Sequence, residues 1–171
     1  MTAEQAELTW EDINRLTAEV ISDKGPGSKG WKAEGSETQR VNALFMRALR
    51  ENNGKVPGEL KEIPALIITT TGVKTGEKRS VPLAYQVVGG RLLIIASMGG
   101  AKRNPPWFYN LVKNPEVFVE KDGESFLANA IVTAGDERNY LFQKICESLP
   151  TFAEYQARTE RIIPVVELQR K

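Results

Sequence analysis

The chain contains no histidine. That absence excludes Ser–His–Asp and Cys–His nucleophilic catalysis, and with them the common metal sites built on imidazole. A single cysteine, Cys146, rules out an internal disulfide and a cysteine-rich zinc cluster. It falls in the pattern Leu141, Phe142, Ile145, Cys146, Leu149, one apolar helical face, and so reads as an inert core thiol. No apolar run approaches the ~20 residues of a membrane span, and the opening MTAEQAELTW is not a signal peptide. Excess charge is missing too. A net charge of +1 argues against a broad nucleic-acid surface or a polybasic membrane face. Local clusters must therefore carry any anion binding. These features fit a reducing, cytoplasmic setting. Chemistry is left to hydroxyls, amides, cations or a borrowed cofactor, with no metal.

What is present suggests one domain, because 171 residues can remove roughly two-thirds of the unfolded surface from water. Residues 9–21 place Trp10, Ile13, Leu16, Val20 and Ile21 on one helical face, with Thr9 as the cap. The glycine-rich stretch SDKGPGSKGWKAEGS (22–36) reads as a loop, so residues 1–37 form an N-terminal segment ahead of a main domain at 38–171. A second helix is expected over about 38–52, closed by Asn53-Gly54. From residue 65 the period changes to that of strands. ALIITTT, SVPLAYQVV and RLLIIAS are β-rich, and Gly89-Gly90 marks a tight hairpin. Asn104, Pro105 and Pro106 can start a helix carrying Trp107, Phe108, Leu111 and Val112. EVFVEK, the turn Asp122-Gly123 and ESFLANAIVTA give another hairpin. Asp136 is expected to cap a helix to about 148, Thr151 to start one to about 160, and IIPVVELQ to form the last strand. About six strands joined mostly as hairpins make a largely antiparallel α+β fold, most easily closed as a small barrel.

Three segments can carry chemistry. In TTTGVKTGEKRS (69–80), Lys74, Lys78 and Arg79 outnumber the one anion, Glu77, and Gly72 and Gly76 allow close backbone approach. The spacing is not that of a phosphate-binding P-loop or of a dinucleotide fingerprint. A solvated hairpin tip is the plain alternative. In ASMGGAKRNPPWFYN (96–110), Ser97, Gly99, Gly100, Lys102 and Arg103 precede a helix start, a credible phosphate seat. Trp107 and Tyr109 offer rings to a flat heterocycle, or else belong to the core. In LPTFAEYQARTERIIPVV (149–166), Phe152 and Tyr155 share a helical face, while Arg158, Glu160 and Arg161 read as solvent or ion-pair residues.

At these segments the sequence resembles the deazaflavin-dependent nitroreductases and F420H2-dependent quinone reductases of actinobacteria. TTTGVKTGEKRSVPLAY, IIASMGGAKRNPPWFYNLVKNPEV and PTFAEYQARTERIIPVVEL lie in family order and spacing over most of residues 65–168. The resemblance implies a split β-barrel, like that of flavin reductases, holding coenzyme F420 in a cleft. It places the cofactor's phosphate and lactyl-glutamate tail on Val73, Lys74 and Thr75 and on Arg79, Ser80, Val81, Pro82, Leu83 and Ala84. The ring and ribityl chain then meet Ile95, Ala96, Ser97 and Met98, with Pro106, Trp107, Phe108, Tyr109 and Asn110. Lys102 and Arg103 add donors for the polyanionic tail. Ser97 and Tyr155 are the implied catalytic groups, and Phe152 with Tyr155 the implied acceptor wall.

One departure bears on the acceptor. The nitroreductase branch carries tyrosines where this chain has Ala84, Leu149 and Phe152, and only Tyr155 remains. An apolar pocket with fewer hydroxyls suits quinones or α,β-unsaturated lactones such as coumarins better than bulky nitro compounds. An FMN-dependent reductase on the same barrel, and a non-catalytic carrier of F420 or a lipophile, are the competing readings. The N-terminal helix, whose charged face is not basic, is expected to pack on the barrel, with weak peripheral membrane contact as the alternative. No nucleic-acid partner is expected, and family resemblance suggests a monomer.

Overall fold

A computed structural model describes residues 36–56 and 63–171, together with Glu11. Apart from Glu11, the helix expected over 9–21 and nearly all of the glycine-rich loop lie outside them. The elements are α1 (Ser36–Glu51), β1 (Ala65–Thr71), β2 (Lys78–Val88), β3 (Arg91–Ile95), α2 (Pro106–Lys113), β4 (Glu116–Lys121), β5 (Glu124–Val132), α3 (Gly135–Ser148), α4 (Thr151–Ala157) and β6 (Val165–Arg170). A 3-10 turn at Met98–Gly100 follows β3. The six strands close in the order β1-β2-β3-β6-β5-β4, every pairing antiparallel. The expected α+β split barrel is what forms.

Local chemistry explains the hairpins. Gly89 (φ +58°) and Gly90 (φ +77°) fill a two-residue turn between the paired Val88 and Arg91. Both turn positions need positive φ to match the strands' twist, which glycine supplies without a Cβ clash. Asp122-Gly123 does the same between Lys121 and Glu124.

Strand alternation then sorts side chains into two layers. Leu66, Ile68, Ile94, Val117, Val119, Ala128, Val166 and Leu168 point inward, and Trp107 and Leu111 of α2 plug that core. Outside, α3 and α4 cover β3 and β6 by packing Leu141, Phe142, Ile145, Phe152 and Tyr155 on Leu93, Ile95 and Val165. On another side, α1 lays Leu49 and Phe45 over Ala65 and Ile67 of β1. A bidentate pair from Arg50 to Glu120, 2.8 and 2.9 Å, pins α1 to β4.

Some element ends differ from expectation. Asp136 is not the cap of α3: Ala134 holds that position, and Asp136 lies in the first turn, where its charge suits the helix dipole. α4 stops at Ala157 rather than near 160. β6 begins at Val165, not at Ile162, which is 71% exposed.

Candidate active site

The site begins with an open edge. β2 pairs with β1 from Lys78 to Ala84, but with β3 only from Tyr85 to Val88. Residues 78–84 therefore have a strand on one side only. Tyr85 N–H donates to Pro64 O at 3.0 Å, which turns the odd-numbered residues' polar groups toward β1. Ser80, Pro82 and Ala84 turn theirs toward the open side. A proline is tolerated there because its missing N–H has no ladder to break. Val81 and Leu83 instead send their side chains into the barrel core. Of the six expected contact residues on β2 from Arg79 onward, only alternate ones therefore face outward. Ser80 Oγ shares a 2.7 Å hydrogen bond with Thr69 Oγ1 across the β1–β2 ladder.

Across from this edge, β3 ends at Ile95, and Ala96 N–H donates to Pro164 O at 3.0 Å. The chain then leaves the barrel at Ser97 (φ −76°, ψ −42°) and curls through Met98 (φ +44°), Gly99 (φ +61°) and Gly100 (φ +82°). Gly100 lies directly on α4: a Cβ there would sit 2.4 Å from Tyr155 O. The turn bearing Ser97 thus abuts the helix bearing Phe152 and Tyr155, whose rings meet edge-to-face at 5.9 Å and 86°. Arg158 lies over the Tyr155 ring at 5.6 Å. Burial raises the Tyr155 phenol above the ordinary tyrosine value, an effect Arg158 partly offsets. Among the described residues, neither the Ser97 hydroxyl nor the Tyr155 phenol has a hydrogen-bond partner.

A third part is the β1–β2 turn. Gly72 N–H donates to Glu77 O at 2.8 Å and Gly76 N–H to Gly72 O at 3.0 Å, while Thr75 Oγ1 accepts from Glu77 N–H at 3.2 Å. Asn110 braces the turn from α2, accepting from Val73 N–H at 3.2 Å and donating to Thr70 Oγ1 at 3.1 Å. α2 thereby links the turn holding Lys74 to the loop holding Lys102 and Arg103. All three cations are exposed. Arg79 pairs with Glu77 at 2.9 Å, and both are well exposed, so this contact is weak and exchangeable.

The aromatic segment divides. Trp107 is 7% exposed inside the barrel core, so its ring is not offered to a heterocycle. Phe108 packs partly against that core, whereas Tyr109 is 51% exposed. Pro106 is exposed at the start of α2.

Arg161 corrects the sequence reading outright. It is not a solvent or surface ion-pair residue. Its guanidinium donates to Ala101 O at 2.7 Å, Ala96 O at 3.1 Å, Asn104 Oδ1 at 2.7 Å and Ser97 O at 2.7 Å. Arg138 was missed as well, buried on α3 and bonded to Ile163 O at 3.0 and 2.8 Å. An arginine between Glu160 and Ile162 gives no local sign of burial, so only the tertiary fold exposes this role.

No helix among the described residues is long and apolar enough to cross a membrane. The barrel, its one-sided β2 edge and the basic loops beside it define a split-barrel protein with a candidate cleft for an anionic ligand. Residues 41–170 match the F420H(2)-dependent quinone reductase family, and the chain belongs to it. Membership makes the protein an F420H2-dependent oxidoreductase, with coenzyme F420 as its cofactor. It is similar to an F420H(2)-dependent quinone reductase of Mycobacterium tuberculosis, 36% identical over 126 residues, covering 71% of this chain and 85% of that one. A solved F420-H2 dependent reductase superposes with a TM-score of 0.57 at 36% identity, covering 62% of this chain and 94% of that one. Another solved structure, described as a domain-swapped dimer, gives 0.59 at 33% identity, covering 78% and 100%.

Proposed function

We propose that this protein passes hydride from reduced F420 to an electron-poor acceptor, with quinones as the preferred class. The observation that carries this reading is the open β2 edge, flanked by exposed cations at one end and the Ser97 turn with the α4 wall at the other. The residues fit the cofactor. A tail with a phosphate and several carboxylates needs many donors, and Lys74, Arg79, Lys102 and Arg103 supply them. Ser80, Pro82 and Ala84 give the ring a shallow floor, beside Met98, whereas Ile95 is buried beneath α3 and α4. When bound, reduced F420 supplies two electrons as a hydride from its C5 carbon.

The chain's own groups do the rest. Ser97 holds the acceptor's oxygen or the ring in line through its unengaged hydroxyl. Tyr155 and Phe152, each 8% exposed and packed with α3 on β3 and β6, back the site, and a flat acceptor would meet this wall only through the small part of the rings that reaches its surface. The buried Tyr155 keeps its proton across the neutral range and can donate a hydrogen bond to the oxygen where negative charge develops. Phe152 can donate none, so quinones and coumarin-type lactones rank above nitro compounds. The reductase domain is residues 38–171, acting in the cytoplasm, with 1–37 as an N-terminal extension; the similarity to a domain-swapped dimer weighs against the expected monomer.

Anaerobic mixing of the protein with reduced F420 and menadione, a coumarin lactone or a nitroimidazole tests this. Return of the deazaflavin absorbance should be fastest with menadione. Binding without turnover on any acceptor would mean a carrier, and retention of FMN in place of F420 would mean a flavin reductase.

A further inference from the structure

We propose that Arg161 is the positioning residue of the hydride-transfer site, its guanidinium fixing the loop that presents Ser97, Lys102 and Arg103 to the cofactor cleft. This rests on the function proposed above.

The four oxygens that Arg161 reaches belong to Ala96 and Ser97 where the loop leaves β3, and to Ala101 and Asn104 near its far end. One planar group therefore ties both ends of the loop together. Apart from the packing of Gly100 on α4, the loop has few bonds of its own. Met98 carries φ +44°, costly for a side chain with a Cβ, and the turn's internal bonds are Gly100 N–H to Ser97 O and Ala101 N–H to Met98 O. A lysine could not substitute, because an ammonium is a point donor while a guanidinium presents its N–H groups in a fixed fork.

None of the four partners is a carboxylate. The cation is partly buried against neutral oxygens, and desolvation lowers its pKa from the ordinary arginine value, with Tyr109 pulling the other way. The cost of desolvating the cation is offset here by hydrogen bonds to the loop alone, so its placement is tied to the loop's geometry. A surface ion pair would have served an ordinary loop.

The other side of Arg161 is anchored to the acceptor wall. Gln156 of α4 donates to Arg161 O at 2.7 Å, and its Oε1 accepts from Ile163 N–H at 3.0 Å and from Arg138 at 2.9 Å. Arg138 in turn stacks on Phe142 at 4.1 Å. The same α4 carries Phe152 and Tyr155. The network therefore sets the loop's register against the wall, so Arg161 governs how Ser97 faces Tyr155 across the reacting atoms.

The test compares wild type with Arg161→Ala and Arg161→Lys. Amide hydrogen exchange on the cofactor-free proteins should show faster exchange confined to residues 97–104 in both variants, with the barrel strands unchanged. Steady-state kinetics should show kcat falling by about a hundredfold, the scale of a 1 Å misplacement, with a smaller change in the KM for menadione. Millimolar guanidinium should restore both readouts in Arg161→Ala, and matched sodium chloride should not. A lysine variant equal to wild type would overturn the proposal, as would a variant that loses only melting temperature while exchange at 97–104 and kcat hold. Should wild type neither bind nor oxidise reduced F420, the functional reading fails, and the exchange and guanidinium arms still decide the role of Arg161.

Discussion

Replacing Gly100 with alanine should push the acceptor wall away from the Ser97 turn. The added Cβ would lie 2.4 Å from Tyr155 O, 3.0 Å from Arg158 Cβ and 3.2 Å from Tyr155 C. Two of these are backbone atoms of α4, which cannot rotate away. Restoring an ordinary contact of about 3.5 Å requires a shift of about 1 Å. Gly100 also has φ +82°, which costs an L-residue about 1 kcal/mol or more. Overpacking adds about 1–3 kcal/mol, for a total near 2–4 kcal/mol. At this chain length that lowers Tm by roughly 10 °C. Gly89→Ala is the control, since Gly89 has φ +58° and nothing within 4 Å of the new Cβ. It should lose about 1 kcal/mol, or about 2–4 °C, from backbone conformation alone. Calorimetry on both variants isolates the contact, and menadione turnover should fall at least about tenfold in Gly100→Ala only. Equal melting temperatures and equal turnover in the two would refute the packing of this turn on α4.

Lys74→Ala, and the pair Lys102→Ala with Arg103→Ala, should each weaken F420 binding about tenfold and flatten its dependence on ionic strength, read by fluorescence titration. Unchanged affinity would leave these cations as solvated surface. Phe152→Tyr should raise nitro-compound reduction relative to menadione reduction, measured as the ratio of kcat/KM values, and no change in that ratio would dissociate the missing hydroxyl from acceptor choice. Tyr155→Phe should lower kcat/KM by a factor that stays constant between about pH 6 and 9, because burial raises the Tyr155 pKa above the ordinary value and keeps its proton on. The same shift fixes the stability effect: it is fully present below the pKa of an unfolded tyrosine and is lost as pH rises through the higher folded value. Wild type should therefore lose Tm relative to Tyr155→Phe only above about pH 10.

The barrel was legible because its information is local. Gly89-Gly90 and Asp122-Gly123 dictate hairpins, and EVFVEK alternates as its buried Val117 and Val119 require. Pro82 carried a signal that the sequence reading did not use. A proline inside a β-rich run marks an edge, and β2 has its open edge there. Trp107 was ambiguous, since an aromatic after two prolines can plug a core or face a ligand, and the rotation of α2 settles it inward. Arg161 was illegible. Its partners at Ala96 to Asn104 lie some sixty positions away, and nothing adjacent in the chain signals that a cation between Glu160 and Ile162 is buried. Asp136 misled because its type and position fit a cap, whereas Gly135 (φ +59°) starts the helix one residue sooner.

Amide hydrogen exchange with and without oxidised F420 reports whether the cofactor binds and where. New protection is expected in residues 73–84 and 97–110, with the outer face of β4 and β5 around Phe118 and Leu127 unaffected. Protection on that outer face, or none anywhere at saturating F420, would contradict binding at the open β2 edge.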